Sequence, residues 1–389
     1  MKTLYLHIGM PKTGTSSIQR FLLGNRSVLN EYGYCFPKFQ YKYPYVHDNR
    51  NGYFLIGKCY HEDGIRDLKL EKKRLKEGLS HICDCFEQYD NVILTEETLW
   101  RCLYTRKQVA PTIKTHADAH GYRVKIIVYL RRQDEFQISI WKQNVKHAKT
   151  AMTMSFEERL EDVLEHESYL FEYGSRLDDL AQVFGAENLI VRRFEQSSWV
   201  NDLLIDDFLS CIGLEHTGDF EDLPEDSNPS LSENMAYMKR IINKNSTLSK
   251  QEMSYLGQIM RDLSAESSAA YPCSMLSVDE AKALLDRFAD ENAHAAAVYC
   301  KDGLPLFSDR VKDVPKWQPD NPYMQEDMIR FISAAMIDLH RENIMLNQEL
   351  RDLHQKVENE QQLFRMFKYK IKHPFRTLLD RLFSGKGKK

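Results

Sequence analysis

Residues 3–23, TLYLHIGMPKTGTSSIQRFLL, predict a strand, a tight turn and a helix in direct succession. The apolar, β-prone run ends at Gly9, and apolar residues then recur at helical spacing in residues 16–23. Gly9 and Gly14 keep the G-x-x-x-x-G spacing of a loop whose backbone amides curl around a phosphate. The following helix would direct its unpaired N–H groups at the same point. The segment therefore predicts an anion-binding turn after the first strand.

Three further apolar runs indicate the fold class. They lie at residues 91–95, 124–130 and 189–191 and alternate with helical stretches at 135–147, 156–183 and 200–212. The run 124–130 is rich in β-branched residues, as expected of a parallel strand buried on both faces. Strands separated by helices predict an α/β protein, with a three-layer parallel sheet and a topology like that of P-loop nucleotide-binding proteins.

Four parts are predicted along the chain. Residues 1–215 form the α/β core and residues 216–320 a helical completion of it. Residues 321–370 form a long amphipathic helix, and residues 371–389 a basic tail.

The long helix carries a heptad pattern. Its apolar positions are spaced by three and four residues, with Asn343 at one of them, which is typical of a dimeric coiled coil. We therefore expect a homodimer through residues 332–367, or else a helix packed on the protein's own core. The heptad positions are Ile332, Met336, Leu339, Asn343, Leu346, Leu350, Leu353 and Val357, followed by Phe364 and Phe367.

The charge balance limits the class of partner. The 389 residues include 53 Lys and Arg and 57 Asp and Glu, a formal net charge of −4. No bulk positive charge is available to cover nucleic acid, so no nucleic-acid partner is expected. Residues 364–389 hold nine Lys and Arg and one acid. Such a tail could make peripheral contact with an anionic membrane or be merely solvated.

Cysteine usage and hydropathy indicate the compartment. The eight cysteines are scattered, and Cys83 and Cys85 form the only close pair, without the second pair that a zinc site needs. No metal site is therefore expected. The sequence shows neither a signal peptide nor a membrane span. We expect reduced thiols and a cytoplasmic protein that could contact the inner face of the membrane peripherally.

The lysine of the turn is displaced from its position in the usual nucleotide-triphosphate loop. That loop ends Gly-Lys-Ser/Thr, with the hydroxyl on Mg²⁺. Here Thr15 follows Gly14, and the lysine is Lys12. The segment PKTGTSS resembles the 5′-phosphosulfate loop of sulfotransferases that use 3′-phosphoadenosine 5′-phosphosulfate (PAPS), above all bacterial carbohydrate-type members. The resemblance implies that the donor's 5′-phosphate and sulfuryl group are held by Lys12, Thr13, Gly14, Thr15, Ser16 and Ser17.

A second element follows the strand at 124–130. Arg131 and Arg132 end it, and Ser139 lies eight positions after Arg131, which resembles the 3′-phosphate element of the same family. An arginine offers forked donors to a phosphate, and a serine can rotate its hydroxyl toward it. Many members of the family have Pro and Arg at the positions of Gln133 and Phe136. Because of this difference, the sequence does not determine the residue at which the next helix begins. The alternative is that the two arginines cap the strand against a carboxylate.

A general base is expected near the second apolar run, because an acceptor hydroxyl must lose its proton as the bond to sulfur forms. Glu96 and Glu97 follow residues 91–95, at the strand end where α/β folds place their sites. The bacterial pattern favours Glu97, and a related glycan-modifying pattern favours Glu96. His47 is a reserve base. It lies in the aromatic-rich segment 32–60, which is either an irregular packed excursion or a wall for a sugar.

The resemblance covers roughly residues 3–215. It implies transfer of a sulfuryl group from PAPS, without a metal, to a hydroxyl or amine of an acceptor, expected to be a carbohydrate, a surface glycan or another small molecule. Two alternatives stay open. One is an ATP-dependent P-loop kinase, in which Glu96 and Glu97 would supply the metal-holding carboxylate. The other is a non-enzymatic assembly protein built on the coiled coil.

Overall fold

The computed structural model of the chain describes residues 1–44, 46–147, 150–222, 230–245, 247–373 and 376. Five strands form one sheet in which every pairing is parallel, in the order β2-β3-β1-β4-β5. This confirms the predicted α/β class and its parallel sheet. The short strand β2 was not predicted. The strands are β1 (Thr3–His7), β2 (Tyr34–Cys35), β3 (Asn91–Thr95), β4 (Arg123–Leu130) and β5 (Leu189–Arg193).

Helices make up most of the remaining described structure. The α-helices are α1 (Thr15–Gly24), α2 (Arg26–Glu31), α3 (Leu68–Gln88), α4 (Leu99–Thr105), α5 (Val109–His120), α6 (Gln133–Lys146), α7 (Phe156–His166), α8 (Tyr173–Phe184), α9 (Leu204–Ile212), α10 (Glu233–Asn243), α11 (Lys250–Ala270), α12 (Val278–Asp286), α13 (Ala289–Ala295) and α14 (Met324–Lys372). Single 3₁₀ turns occur at Asn51–Leu55, Ser168–Leu170, Ala186–Asn188, Gln196–Ser198 and Val200–Asp202, and a π turn at Ala296–Cys300.

Strand β1 lies in the middle of the sheet and fixes where a site can form. Tyr5 of β1 is in register with Ile93 of β3 on one side and with Lys125 of β4 on the other. The chain runs from β1 to β2 and β3 on one side and then crosses to β4 on the other. Ligands of open α/β sheets bind outside the carboxyl ends of strands at such a switch point. The loops after β1, β3 and β4 meet at this edge.

Apolar side chains cover both faces of the sheet. On one face Tyr5 and Ile127 pack in a cluster with Phe21 of α1 and Phe208 of α9. Side chains alternate between the faces of a strand, and the intervening strand residues are buried as well. These include Leu4, Leu6, Val92, Leu94, Ile126 and Val128. Burial of both faces explains why the strands read as continuous apolar runs.

The helical stretch predicted over residues 156–183 consists of two helices, α7 and α8, with a 3₁₀ turn between them. The break brings Phe171 and Tyr173 into the core, where they are 1% and 0% exposed. The hydroxyl of Tyr173 donates to the backbone oxygen of Arg131 at 2.6 Å, and the indole of Trp100 donates to the oxygen of Leu170 at 3.2 Å. These contacts with the end of β4 and with α4 stabilise the interruption.

The chain divides into two compact units, Met1–Tyr323 and Met324–Lys389. Within the first unit, the helical region after residue 216 packs on α6. Glu233 accepts from Lys142 at 2.7 Å, and the amide of Asn243 donates to the backbone oxygen of Val145 at 2.9 Å. This region therefore contributes directly to the surface around α6. The boundary expected at residue 215 stays a prediction.

The second unit consists, in its described part, of α14. The apolar heptad residues of this helix are exposed, for example Leu346 at 56% and Leu350 at 50%. The coiled coil stays a prediction. Residues 374, 375 and 377–389, most of the predicted basic tail, lie outside the described residues. None of the described helices combines the length and apolarity needed to span a lipid bilayer.

Candidate functional site

The turn between β1 and α1 has the backbone of an anion-binding loop. Gly9, Lys12 and Gly14 adopt positive φ angles of 34°, 67° and 70°. A Cβ on Gly14 would lie 2.1 Å from Leu204 Cδ2, so another residue would have to displace that side chain as well as adopt a left-handed backbone conformation. The hydroxyl of Thr13 donates to the backbone oxygen of Met10 at 2.6 Å and closes the turn from inside.

The first turn of α1 is open to an anion. Its N-cap is Gly14, no side chain caps the helix, and its first turn contains no acidic residue. Ser17 and Ile18 already donate their backbone N–H groups to the oxygen of Gly14, at 2.9 and 3.1 Å. The helix dipole and the uncapped N-terminus favour negative charge at this point. Lys12 lies beside it and donates to the side-chain oxygen of Gln143 at 3.4 Å.

Arg131 connects the end of β4 to this turn. Its Nη1 donates to the backbone oxygen of Lys12 at 2.8 Å, and its guanidinium lies 5.3 Å from the ring centre of Phe194. Glu135 pairs with it at 3.5 Å. Burial lowers the pKa of Arg131, although its own neighbour Glu135 acts in the opposite direction. The Nε atom is buried without a hydrogen-bond partner, which leaves one donor for an anion.

Arg132 has a different role. It is 4% exposed, its Nε donates to Asp134 at 2.8 Å, and its Nη1 donates to the backbone oxygens of Ser308 and Arg310. Arg132 therefore fits the alternative interpretation, in which an arginine at the end of the strand pairs with a carboxylate. This contact ties the start of α6 to the segment around residue 310.

Gln133 and Phe136, the two residues that depart from the family pattern, also pack at the start of α6. Gln133 begins α6, and its amide donates to Asn292 Oδ1 at 2.8 Å. Phe136 is 5% exposed and packs against Phe171, with 5.5 Å between ring centres. The helix start that the sequence left open is therefore fixed by contacts with the segments at 171 and 292.

A cleft of about 890 Å³ opens at this edge of the sheet. It brings together most of the predicted site residues, which come from the loops after β1, β3 and β4, from α6 and from the aromatic segment. Thr13 and Glu96 do not line it, and both are 0% exposed. The predicted residues in its wall are Lys12, Gly14, Thr15, Ser16, Ser17, His47, Glu97, Arg131 and Ser139.

The two candidate bases differ in environment. Glu96 accepts a forked pair of hydrogen bonds from Arg50, and its Oε1 also accepts from the backbone N–H of Thr98 at 3.0 Å. Glu97 faces the cleft with its side chain 30% exposed. Burial raises the pKa of Glu97, and the opposing charges of Arg50 and Lys12 only partly offset this. A carboxylate of raised pKa in a cleft suits a general base.

Arg50 is a site residue that the sequence did not reveal. Besides its pair with Glu96, its Nη1 lies 3.8 Å from Glu97 Oε1, so one guanidinium holds both carboxylates. Its position in an irregular segment gave no spacing signal. By contrast, the helical spacing of the α6 residues that line the cleft could have been found. They are Asp134, Glu135, Ile138, Ser139, Lys142, Gln143 and Lys146.

The aromatic segment packs mainly on itself. Phe39 and Phe54 have ring centres 4.7 Å apart, and Tyr43 and Tyr53 4.9 Å. Of the described residues in 32–60, only His47 and Asn49 line the cleft. The structure therefore favours the packed excursion over a wall of sugar-binding rings. His47 is exposed at the rim of the site.

Comparisons with known proteins found a relative that matches part of the chain and a solved structure with low similarity. No family model matches the chain. A stretch of 134 residues is 32% identical to an uncharacterized protein of Archaeoglobus fulgidus and covers 33% of each protein, so the chain spans about a third of the length of that curated relative. The crystal structure of a sulfotransferase from Alicyclobacillus acidocaldarius aligns with a TM-score of 0.34 and 17% identity, over 58% of this chain and 87% of that one. Because such a TM-score does not establish a common fold, function must be inferred from the cleft.

Proposed function

We propose that the protein is a sulfotransferase that moves a sulfuryl group from PAPS to a hydroxyl or amine of an acceptor. The observation that carries the proposal is the hydrogen bond from Arg131 to the backbone of Lys12, within one cleft that also contains Ser139 and Glu97. A volume of about 890 Å³ is in the range of sites that enclose a cofactor-sized ligand.

The donor nucleotide would be held at both of its phosphorylated ends. The amides of the turn and the hydroxyls of Thr15, Ser16 and Ser17 would receive the 5′-phosphate and the sulfuryl group. Arg131 and Ser139 would receive the 3′-phosphate. The unpartnered Nε of Arg131 supports this assignment, because a phosphate oxygen would give a buried cationic donor its missing acceptor.

The transfer is a displacement at sulfur. The acceptor oxygen forms a bond to sulfur as the bond from sulfur to the donor's phosphate oxygen breaks, and the acceptor proton passes to the Glu97 carboxylate. Negative charge develops on the departing phosphate, where Lys12 would neutralise it. The bisphosphate nucleotide leaves. Arg50 would hold Glu97 in place through the ion pair they share.

The acceptor is proposed to be a carbohydrate or a surface glycan, because the turn resembles that of bacterial carbohydrate-type enzymes. The polar side chains of His47 and Asn49 at the cleft support a hydroxyl-rich acceptor. A homodimer through residues 332–367 is part of the proposal as well. Its support is the exposure of the apolar heptad face of α14.

The experiment is a transfer assay with the full chain, sulfur-labelled PAPS and a panel of mono- and oligosaccharides. A parallel assay uses ATP with Mg²⁺, the donor that the kinase alternative requires. We expect labelled product from PAPS and no phosphoryl transfer from ATP. Phosphoryl transfer from ATP with no incorporation from PAPS would overturn the proposal in favour of a kinase.

A further inference from the structure

Outside the cleft, α3 and α5 bring three metal-binding side chains together. The Sγ of Cys83 and one ring nitrogen each of His116 and His120 all lie within 4.8 Å of one another. His116 and His120 are four residues apart on α5 and thus share one face of that helix. Their rings are stacked, with centres 4.1 Å apart. Cys83 reaches the pair from α3.

A hydrogen bond to Nδ1 fixes which ring nitrogen of His120 can bind a metal, and a second one orients the ring of His116. The Nδ1 of His120 is 2.9 Å from the backbone oxygen of His116. A carbonyl oxygen only accepts, so this Nδ1 carries the proton and Nε2 keeps the lone pair. The Nδ1 of His116 is 2.9 Å from the hydroxyl of Tyr122. Ligating histidines are oriented in this way by partners on their other nitrogen.

The surroundings hold the cluster in shape and leave it accessible. Tyr122 is 5% exposed and its ring centre lies 4.9 Å from that of Phe86 on α3, which fixes the hydroxyl that contacts His116. Both histidines line a surface groove of about 450 Å³, so an ion can enter from solvent. The cluster shares no residue with the wall of the cleft.

We propose that Cys83, His116 and His120 bind one Zn²⁺ ion per chain. One thiolate and two imidazoles are the donors that zinc prefers, and three protein ligands leave the fourth position for water. The thiol of Cys83 gives its proton to solvent when the bond to the metal forms. Sequence spacing missed the site because it paired Cys83 with Cys85, whereas the other ligands come from a separate helix.

The test uses the full chain, stripped of metal with a chelator, and follows Co²⁺ by absorption and Zn²⁺ by calorimetry. We expect one ion per chain and a thiolate-to-cobalt charge-transfer band. Cys83→Ser should abolish the band. His120→Ala should weaken binding of Zn²⁺ by more than the ~10–100-fold that loss of an outer-shell partner costs, and Tyr122→Phe by about that outer-shell amount.

His166→Ala is a matched control. His166 lies at the end of α7 with its Nδ1 3.0 Å from the backbone oxygen of Asp162, the same local bond that His120 makes, but it is not part of the cluster. This variant should bind both ions as the wild type does. The proposal is overturned if the cobalt spectrum lacks the thiolate band, or if Cys83→Ser and His120→Ala bind Zn²⁺ with unchanged affinity while remaining folded.

Discussion

Arg131 Nη1 donates a hydrogen bond to the backbone oxygen of Lys12 at 2.8 Å, although the two residues are 119 positions apart. This contact links the end of β4 directly to the turn after β1. The same guanidinium keeps a buried Nε without a partner. The two segments that the sequence assigned to opposite ends of one nucleotide are therefore neighbours in the fold.

Replacement of Lys12 tests the charge-neutralising role. Lys12→Ala should lower kcat by about 10²–10³, the cost of removing one preorganised donor from a transition state. Donor binding should change less, because the amides of the turn remain. Steady-state kinetics with PAPS measure this. Lys72→Ala, which removes an exposed lysine from α3, is the control and should keep full activity. Wild-type turnover in Lys12→Ala would refute the role.

Replacement of the two neighbouring glutamates should affect different properties, activity for Glu97 and stability for Glu96. Glu97→Gln should lower kcat by about 10²–10⁴, as for loss of a general base, with little change in unfolding. Glu96→Gln should instead cost about 1.5–3 kcal/mol in unfolding free energy, because it weakens the charged bonds to Arg50 inside the protein. Kinetics and urea unfolding of both variants measure these effects. The opposite result, in which Glu96→Gln loses turnover and Glu97→Gln loses stability, would make Glu96 the base.

The pH profile gives an independent check on Glu97. A base must be ionised, and burial raises the pKa of this carboxyl. Activity should therefore fall as pH decreases through a value above the ordinary ~4.3 of glutamate. Glu97→Gln should remove this acidic limb from the profile of kcat/KM. A limb that persists unchanged in the variant belongs to another group.

Buried His7 predicts loss of stability in mild acid. It is 0% exposed at the end of β1, its Nδ1 contacts Thr95 Oγ1 at 3.0 Å, and burial lowers its pKa to about 3. The unfolded chain binds a proton near pH 6.5 and the folded chain does not, so stability falls as pH drops below that value. The loss by pH 5 is about 2 kcal/mol.

Urea unfolding at pH 7 and pH 5 measures this loss. The control is His7→Asn, which keeps a polar group near Thr95 but does not titrate. The difference between the wild type and the variant isolates the histidine from other titrating groups. Equal losses in both proteins would show that His7 does not supply the effect.

The exposed heptad face of α14 should make the protein a dimer. Leu346→Glu with Leu350→Glu places charges at two seam positions and should convert the dimer to a monomer in sedimentation equilibrium. Asn347→Glu with Gln348→Glu adds the same charge beside the seam and should leave the dimer intact. A monomeric wild type, or a double leucine variant that remains dimeric, would exclude this interface.

Local sequence patterns predicted the elements that are long and buried. The runs that became β1, β3, β4 and β5 are apolar at consecutive positions, as expected of strands in a parallel sheet that is covered on both faces. Strand β2 was missed because Tyr34–Cys35 is only two residues long. The break between α7 and α8 was missed because it depends on the contacts of Phe171 and Tyr173 with distant segments rather than on a local breaker.

The site residues likewise fall into those that local sequence patterns indicate and those that depend on contacts between distant segments. The turn residues and the pair of Arg131 with Ser139 could be proposed because their spacing after a strand resembles that of a known family of sulfotransferases. Arg50 and the different functions of Arg131 and Arg132 could not, since they arise from contacts between segments far apart in sequence. Burial in the fold, rather than residue type, distinguishes Glu96 from Glu97.

The most direct test of the central claim is calorimetric titration of the full chain with adenosine 3′,5′-bisphosphate, compared with adenosine 5′-monophosphate and with ATP plus Mg²⁺. The account predicts one site, with the bisphosphate bound most tightly and its advantage over the monophosphate lost in Arg131→Ala but kept in Arg66→Ala, an arginine outside the cleft. Equal affinity for the bisphosphate and the monophosphate in the wild type, or tighter binding of ATP with Mg²⁺, would contradict it.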